Sequence, residues 1–183
     1  MTMASPRIGS PTLSALVQEI RAIVRAGGEA GRVAGDVAQA LRPYLGRADL
    51  LLPSQEEPDP TRYRQHILHV EEDGAFSIVS LVWTRGQETS IHDHVSWCVV
   101  GVHRGREDET RYRLDAGRNA LIELETVTSD VGAIAALTPP GDIHKVANRS
   151  TDLTISIHIY GADIGKLGSS IRRRYDLPVV SRV

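Results

Sequence analysis

The chain contains little of what several common folds and functions need. Among its 183 residues there is one cysteine, and aromatic residues make up 4%. A single cysteine excludes an intrachain disulfide and a cysteine-rich zinc site. No apolar run reaches the length of about 18 residues that crosses a bilayer, and the N-terminal stretch lacks the apolar region of a signal peptide. We therefore expect a cytoplasmic protein with no membrane partner.

The charge balance excludes another class of partner. The chain has 21 Lys and Arg residues against 23 Asp and Glu residues, which gives a net charge of −2. Nucleic-acid-binding domains usually carry a basic excess, so we expect no nucleic-acid partner. The hydrophobic fraction of 41% and the charged fraction of 24% are ordinary for a globular protein, and the length suits one domain.

The N-terminal third has helical periodicity. Apolar residues recur at steps of three and four after the start signal Ser10-Pro11, and Gly27-Gly28 ends this pattern. A second, weaker helix is expected from about residue 30 to 41, followed by a polar, proline-rich connector at 53–60. We therefore assign residues 1–60 to an N-terminal helical segment and linker.

The rest of the chain is typical of strands. Short β-branched runs alternate with turn residues at a spacing of about 8–12 residues, which indicates a sandwich or barrel. The candidate strands are residues 63–70, 75–83, 97–103, 109–114, 120–126, 133–137, 144–148 and 153–160. We expect a barrel over residues 61–165 and a C-terminal tail at 166–183, in which Arg172, Arg173 and Arg174 form a solvated face.

The tripeptide His92-Asp93-His94 contains the first candidate functional side chains. Residues i and i+2 of a strand point to the same face, so these two imidazoles lie side by side. Alone this is weak evidence, but the flanking spacing adds to it. Five residues separate Gly86 from His92, and six residues separate Cys98 from Gly105.

A second segment complements the first, with Gly132, Pro139-Pro140-Gly141, His144 and Asn148 at fixed spacing. Together the two segments resemble the two motifs of the cupin family, G(X)5HXH(X)3E(X)6G and G(X)5PXG(X)2H(X)3N. The match departs twice: Cys98 occupies the place of the glutamate, and the second motif has one extra residue before its first proline. The resemblance implies an all-β fold with N-terminal helices, a cupin double-stranded β-helix or jelly-roll barrel.

The same resemblance implies a metal held by His92, His94 and His144. Neutral imidazoles bind a divalent metal, and with no glutamate ligand the full 2+ charge stays on the ion. Such a site favours an anionic substrate.

Three segments narrow the resemblance to the cysteine dioxygenase family of thiol dioxygenases. They are Ser90-Ile91-His92-Asp93-His94, Gly141-Asp142-Ile143-His144-Lys145-Val146, and Ser156-Ile157-His158-Ile159-Tyr160-Gly161. The family implies one Fe(II) per chain on the three histidines. It also implies oxidation of a small thiol by O2 to a sulfinic acid, with Ser156, His158 and Tyr160 as a catalytic relay. Their spacing suits that role because all three face one side of a strand.

The first strand bears on which thiol is bound. Tyr63 and Gln65 share a face, so Gln65 takes the place in which the cysteine-specific type carries an arginine. This resembles the bacterial Gln-type, whose usual substrate is 3-mercaptopropionate. A shift of one residue would instead bring Arg64 inside and give a site like that of cysteine dioxygenase. We expect Gln65, Tyr63 and Trp97 to contact the substrate.

Two questions stay open at this point. Cys98 is either a small buried hydrophobe or, as in the mammalian-type enzymes, cross-linked to Tyr160; it lies one residue closer to His94 than in those enzymes. The segment Gly168-Ser169-Ser170 stands where the Gln-type carries an arginine pair, so the group that binds the substrate carboxylate is open. The rival functions are a non-redox metal cupin and a cupin ligand-binding or sensor protein.

Overall fold

A computed structural model describes residues 9–180. Residues 1–8, in which no signal peptide is expected, and residues 181–183 of the expected tail lie outside that range. Helix α1 (Pro11–Ala26) begins at Ser10, whose hydroxyl accepts a hydrogen bond from the Leu13 amide at 3.0 Å, and it ends at Gly27. Helix α2 spans Ala30–Leu41. Both helices lie within the predicted helical segment.

The described residues form eleven strands and a third, short helix. In chain order these elements are β1 (Arg64–Val70), β2 (Ser77–Trp83), β3 (His92–His94), β4 (Cys98–Arg104), β5 (Arg106–Asp115), β6 (Ala120–Asp130), β7 (Ile134–Leu137), β8 (His144–Ala147), β9 (Thr154–Tyr160), α3 (Ile164–Leu167), β10 (Ile171–Arg174) and β11 (Val179–Val180). Every predicted strand has an observed counterpart, with ends that differ by a few residues.

The strands form two sheets that enclose one interior. The first has the order β1-β2-β9-β4-β7 and the second has the order β10-β3-β8-β5-β6-β11. All pairs are antiparallel except β11 with β6. An apolar cluster joins side chains of both sheets, among them Leu81 of β2, Cys98 of β4 and Val146 of β8. This is the cupin barrel, the double-stranded β-helix predicted from the sequence.

Strand β9 shows how the two faces of the first sheet are used. Ile155, Ile157 and Ile159 pack in the cluster that contains α1 and α2, while Ser156 and His158 are buried without belonging to it. Since helices cover the outer face, every residue of β9 is buried. The alternation therefore separates an apolar, helix-facing row from a polar row that faces the barrel interior.

The C-terminal segment differs from the expected tail. Strand β10 pairs with β3, the strand of the two neighbouring histidines, and β11 pairs with β6. Arg172, expected in a solvated face, forms an ion pair with the buried carboxylate of Asp93. The sequence hides this role because β10 is short and its burial pattern is mostly exposed, so it has no apolar periodicity. No helix among residues 9–180 is long and apolar enough to span a membrane.

Candidate metal and thiol site

Three buried histidines converge inside the barrel. His92 and His94 come from β3, and His144 of β8 is the direct partner of His92 in the β3–β8 pairing. Their candidate ligand atoms all lie within 4.8 Å of one another. They are 5%, 1% and 2% exposed. The group can hold a metal ion.

Each imidazole is oriented by an acceptor on its Nδ1 atom. The Nδ1 contacts are His92 to the Ser90 carbonyl at 2.9 Å, His94 to Asp142 Oδ2 at 2.9 Å, and His144 to Glu109 Oε1 at 2.8 Å. A carbonyl or carboxylate oxygen only accepts, so each Nδ1 carries the proton and each Nε2 keeps a free lone pair. Metal-binding histidines are usually oriented in this way.

The pKa shifts favour neutral imidazoles at this site. Burial, with the neighbouring His144 and His94, lowers the pKa of His92 to about 3. Burial also lowers the pKa of His144, although Glu109 opposes this effect. Neutral imidazole is the form that binds a metal, so the donor set suits a divalent cation.

Two carboxylates surround the histidines. Burial raises the pKa of Glu109, but its hydrogen bonds to His144 and Arg111 outweigh burial and lower it overall. The same balance, with His94 as the donor, lowers the pKa of Asp142. The sequence suggested that nothing near the metal would offset its 2+ charge. The structure adds two carboxylates, Asp142 and Glu109, which are hydrogen-bonded to the proposed ligands His94 and His144. Asp142 Oδ1 is buried without a hydrogen-bond partner among the described residues.

Sequence reasoning gave these two carboxylates no role. Asp142 stands inside a motif segment, two residues before His144, so its position offered a signal. Glu109 offered none, because it meets His144 only through the pairing of β5 with β8, where Arg111 lies opposite His144.

The Ser156, His158 and Tyr160 side chains form a hydrogen-bonded row along β9. Ser156 Oγ lies 2.9 Å from His158 Nε2, and Tyr160 Oη lies 3.1 Å from His158 Nδ1. Trp83 Nε1 donates to Ser156 Oγ at 3.2 Å. Burial and the three neighbouring histidines hold the pKa of His158 well below its usual value, and burial raises the pKa of Tyr160. The row is neutral and reaches the histidine cluster, where the Tyr160 and His94 rings lie 6.0 Å apart.

Cys98 lies directly opposite Tyr160 in the β4–β9 pairing. Both side chains are buried, and the thiol and the phenol share a hydrogen bond. Residues 95–97 belong to neither β3 nor β4, so strand parity counted from His94 does not determine which way Cys98 faces. The register of β4 against β9 decides its position.

A cavity of about 40 Å³ lies against the histidine cluster. Its described lining residues are Tyr63, Gln65, Leu81, Thr89, His92, His94, His144, Val146, His158, Tyr160, Ser169, Ser170 and Ile171. No Lys, Arg, Asp or Glu side chain from residues 9–180 is among them. We call this space the substrate cavity.

The residues expected to contact substrate take different positions. Tyr63 and Gln65 line the substrate cavity, with Gln65 exposed at its rim. Arg64 points outward and its guanidinium lies 3.4 Å from Glu57, so the alternative register with Arg64 inside is not adopted. Trp97 is not among the described lining residues: it precedes β4, packs against the apolar cluster that contains α1 and α2, and its carbonyl accepts a hydrogen bond from the Gly161 amide.

The C-terminal segment adds part of the wall that the sequence did not indicate. Residues 169–171, here called the strap, line the substrate cavity. The Ser170 carbonyl accepts a hydrogen bond from the Val95 amide at 3.0 Å, and the Ser170 hydroxyl contacts Tyr160. The strap is held by β10, so this part of the site depends on the pairing of β10 with β3.

A second cavity, of about 100 Å³, lies on the other side of His144. Glu107, Glu109, Arg111 and Ser129 supply its polar lining, and valine, alanine and isoleucine side chains supply most of the rest. Glu107 was not singled out in the sequence. We call this space the inner cavity.

Comparison with known proteins identifies relatives of this chain. The family described as "Cysteine dioxygenase type I" matches residues 8–168. Cysteine dioxygenase type 1 of Rattus norvegicus is 30% identical over 105 residues, which cover 56% of this chain and 52% of that protein. The Homo sapiens protein of the same name is 28% identical over the same shares. The chain thus matches about half the length of these curated relatives.

Solved structures give more distant similarities. A Cupin 2 conserved barrel domain protein from Salinispora arenicola has a TM-score of 0.44 and 17% identity, covering 62% of this chain and 87% of that one. A cupin superfamily protein from Desulfitobacterium hafniense has a TM-score of 0.47 and 13% identity, covering 65% and 95%. Because both TM-scores are below 0.5, the description of the fold rests on the strand order given above and not on these two structures. The match over residues 8–168 shows that the chain belongs to the cysteine dioxygenase type I family.

Proposed function

We propose that the protein is a non-haem iron thiol dioxygenase that converts a small thiol, RSH, and O2 into a sulfinate, RSO2⁻, and a proton. The observation that carries the proposal is the convergence of the three histidines with the Tyr160 end of the β9 row at one cavity. Family membership and the names of the curated relatives support the reaction class.

The proposed ligands are His92, His94 and His144, with one Fe(II) per chain. When bound, the iron would supply coordination positions for a thiolate and O2 and would mediate the transfer of electrons from sulfur to O2. The preference for iron rests on the family, because a three-imidazole site binds Zn²⁺ or Cu²⁺ more tightly by intrinsic affinity. The outer carboxylates Glu109 and Asp142 would hold the ligands in place and offset the charge of the ion.

The β9 row would serve the substrate rather than the metal. Tyr160 presents the hydroxyl at the cavity wall, and His158 and Ser156 would hold that hydroxyl in place. Trp83 closes the row by donating to Ser156. Because all four groups are buried, they would keep bulk water away from the reacting sulfur.

For the substrate we propose a thiol carboxylate, most simply 3-mercaptopropionate. The described lining of the substrate cavity offers neutral donors at Gln65, Ser169 and Ser170 and no guanidinium. A carboxylate would then rely on these donors and on the metal's positive charge. The α-ammonium group of cysteine would find no carboxylate among the described lining residues. The interpretation that the chain belongs to the Gln-type branch rests on Gln65 and this lining.

Cysteine is the second candidate substrate. The curated relatives are named cysteine dioxygenase type 1, and this is the observation that favours it. The thiol group of cysteine could be bound in the same way as that of 3-mercaptopropionate. The two candidate substrates differ only at the end of the molecule that is distant from the sulfur.

The test is O2 uptake by protein loaded anaerobically with Fe(II) and supplied with 3-mercaptopropionate, cysteine, cysteamine or mercaptosuccinate. We expect one O2 consumed per sulfinate formed, none under argon, and the highest kcat/KM with 3-mercaptopropionate. Tyr160→Phe should retain iron and lose about 10²–10⁴-fold in rate, the usual effect of losing a positioned proton donor or acceptor. His69→Ala, a histidine outside the site, is the matched control. Absence of sulfinate with every thiol would contradict the proposal.

A further inference from the structure

Glu107 is a buried carboxyl group to which the proposed function gives no role. It lies on β5, is 5% exposed, and lines the inner cavity. Its Oε2 atom has no hydrogen-bond partner among the described residues. Buried polar atoms are usually paired, so an unpaired one requires an explanation.

The Glu107 carboxyl group contacts one end of the β9 row. Its hydrogen bond with the Ser156 hydroxyl extends the row to four groups, Glu107, Ser156, His158 and Tyr160. Tyr160 and His158 line the substrate cavity, whereas Glu107 lines the inner cavity. The hydrogen-bonded row therefore crosses the barrel interior and connects the two cavities.

The hydrogen bonds of this row can run in either of two directions, because Ser156, His158 and Tyr160 each have one proton to donate. His158 is neutral and carries one N–H, while Ser156 has one hydroxyl proton and already accepts from Trp83 Nε1. When Glu107 is ionised, Tyr160 donates to His158 Nδ1, His158 Nε2–H donates to Ser156, and Ser156 donates to Glu107. When Glu107 is protonated, every donor reverses. His158 Nδ1–H then donates to Tyr160 Oη, and the Tyr160 proton is free to point into the substrate cavity.

Both states of Glu107 are accessible near neutral pH. Burial raises its pKa, the Ser156 hydrogen bond opposes this, and the charges of Glu109 and Asp108 raise it further, to about 7. The other titratable or charged groups that line the inner cavity are Arg111 of β5 and His144 of β8, and the Cys98 thiol of β4 also interacts with the Glu107 charge. The inner cavity also gives the carboxyl group room for water, since about 10–15 Å³ of such volume accommodates one molecule.

We propose that Glu107 is a positioning residue whose protonation state sets the direction of this row, and thereby whether Tyr160 accepts or donates a hydrogen bond at the substrate. The proposal deepens the proposed function and rests on it for its catalytic consequence. A thiol that binds next to Tyr160 loses its proton to Tyr160 Oη as the Tyr160 proton moves to His158. The His158 proton moves to Ser156, and the Ser156 proton moves to Glu107. The S–H bond breaks, the Glu107 O–H bond forms, and no electron is transferred between these groups.

The first test needs neither metal nor turnover. In metal-free protein, the ¹⁵N chemical shifts of the His158 ring, assigned with His158→Gln, report which nitrogen carries the proton. We expect the wild type to change from the Nε2–H to the Nδ1–H form as the pH falls through about 7. Glu107→Gln should keep one tautomer from pH 5 to 9. Asp108→Asn, which removes a neighbouring carboxylate outside the row, should keep the tautomer change, with a midpoint at slightly lower pH because the Asp108 charge raises the pKa of Glu107.

The second test uses the iron-loaded enzyme. We expect Glu107→Gln to lower kcat about tenfold, to leave KM and iron content within twofold, and to remove the pH dependence of kcat/KM near pH 7. Glu107→Asp keeps an ionisable group at this position. The tautomer of its His158 ring should therefore still change with pH, at a different midpoint. This variant replaces Glu107→Gln in the test if Glu107→Gln does not fold.

Two outcomes would overturn the proposal. One is a His158 ring that does not change tautomer in the wild type between pH 5 and 9. The other is the same change in Glu107→Gln as in the wild type. If no thiol is oxidised by the wild type, the proposed function fails, while the nuclear magnetic resonance result still decides the role of Glu107.

Discussion

The buried carboxylate of Asp93 forms an ion pair with Arg172, with 2.5 Å between Asp93 Oδ2 and Arg172 Nη2. Asp93 lies between His92 and His94 in β3, so its side chain points away from the metal cluster. Tyr175 also donates its hydroxyl to Asp93 Oδ2, at 2.8 Å. The outer face of the histidine strand therefore holds the C-terminal segment whose strap lines the substrate cavity.

Arg172→Leu should loosen this attachment without removing a metal ligand. The buried Asp93 carboxylate would lose its charged partner, and hydrogen bonds to charged groups are worth about 1.5–3 kcal/mol. We expect KM for the thiol to rise about tenfold while Fe(II) affinity changes less than twofold. Arg173→Leu, on the neighbouring exposed residue, is the control for loss of a surface arginine. An unchanged KM in Arg172→Leu would show that the strap does not depend on this ion pair.

Glu109→Gln and Asp142→Asn should weaken metal binding even though neither residue is a proposed ligand. Each substitution removes an anion that orients an imidazole and raises its basicity, and losses of about 10–100-fold are typical. The measurement is anaerobic calorimetry of Fe(II) binding to metal-free protein. Glu125→Gln, an exposed carboxylate near Arg111, is the control. Affinities equal to the wild type would argue against a metal at this cluster.

Gln65→Arg should shift preference toward cysteine. A guanidinium at the cavity rim can bind a carboxylate with two hydrogen bonds, which glutamine cannot match. The measurement is the ratio of kcat/KM for cysteine to that for 3-mercaptopropionate, and we expect this ratio to rise about tenfold. Arg64→Gln, which changes the outward-facing neighbour, should leave the ratio unchanged. A ratio that stays constant in Gln65→Arg would place Gln65 outside the substrate's reach.

Cys98 and Tyr160 should become partly cross-linked during aerobic turnover. Their strands place them opposite each other, and O2 can accept the two electrons and two protons released when a thioether joins the sulfur to the phenol ring. Intact mass should fall by two hydrogens, and a peptide map should couple the two peptides. Cys98→Ser is the control. Complete alkylation of Cys98 in the denatured, turned-over protein would leave it as a small buried hydrophobe.

Glu107 should make the protein less stable as the pH rises. Its pKa in the folded state, about 7, lies above the ordinary value of 4.5. The folded state therefore binds the proton more tightly, and stability falls as the pH rises between these two values. Urea unfolding should show Glu107→Gln gaining about 1–3 kcal/mol over the wild type between pH 5 and pH 8. The same gain in Asp108→Asn, or none in Glu107→Gln, would contradict this assignment.

Local periodicity was sufficient for much of the site. The spacing of two residues places His92 beside His94, and it places Ser156, His158 and Tyr160 on one face of β9, because alternation is a property of a single strand. The helical steps before residue 27 and the turn residues between strands likewise depend only on neighbours in the chain. The helices, the strands and the barrel were predictable for this reason.

Only the tertiary structure decided which strands meet. The pairing of β5 with β8 brings Glu109 to His144, the register of β4 against β9 puts Cys98 opposite Tyr160, and β10 turns an expected tail into part of the cavity wall. The position of Trp97, outside the described lining of the substrate cavity, was not predictable because Trp97 stands before β4, outside any strand whose alternation could orient it. Strand pairing joins residues far apart in sequence through backbone hydrogen bonds, which have no local pattern of side chains. The sequence by itself therefore determined which groups share a strand face, and the fold determined which faces share a site.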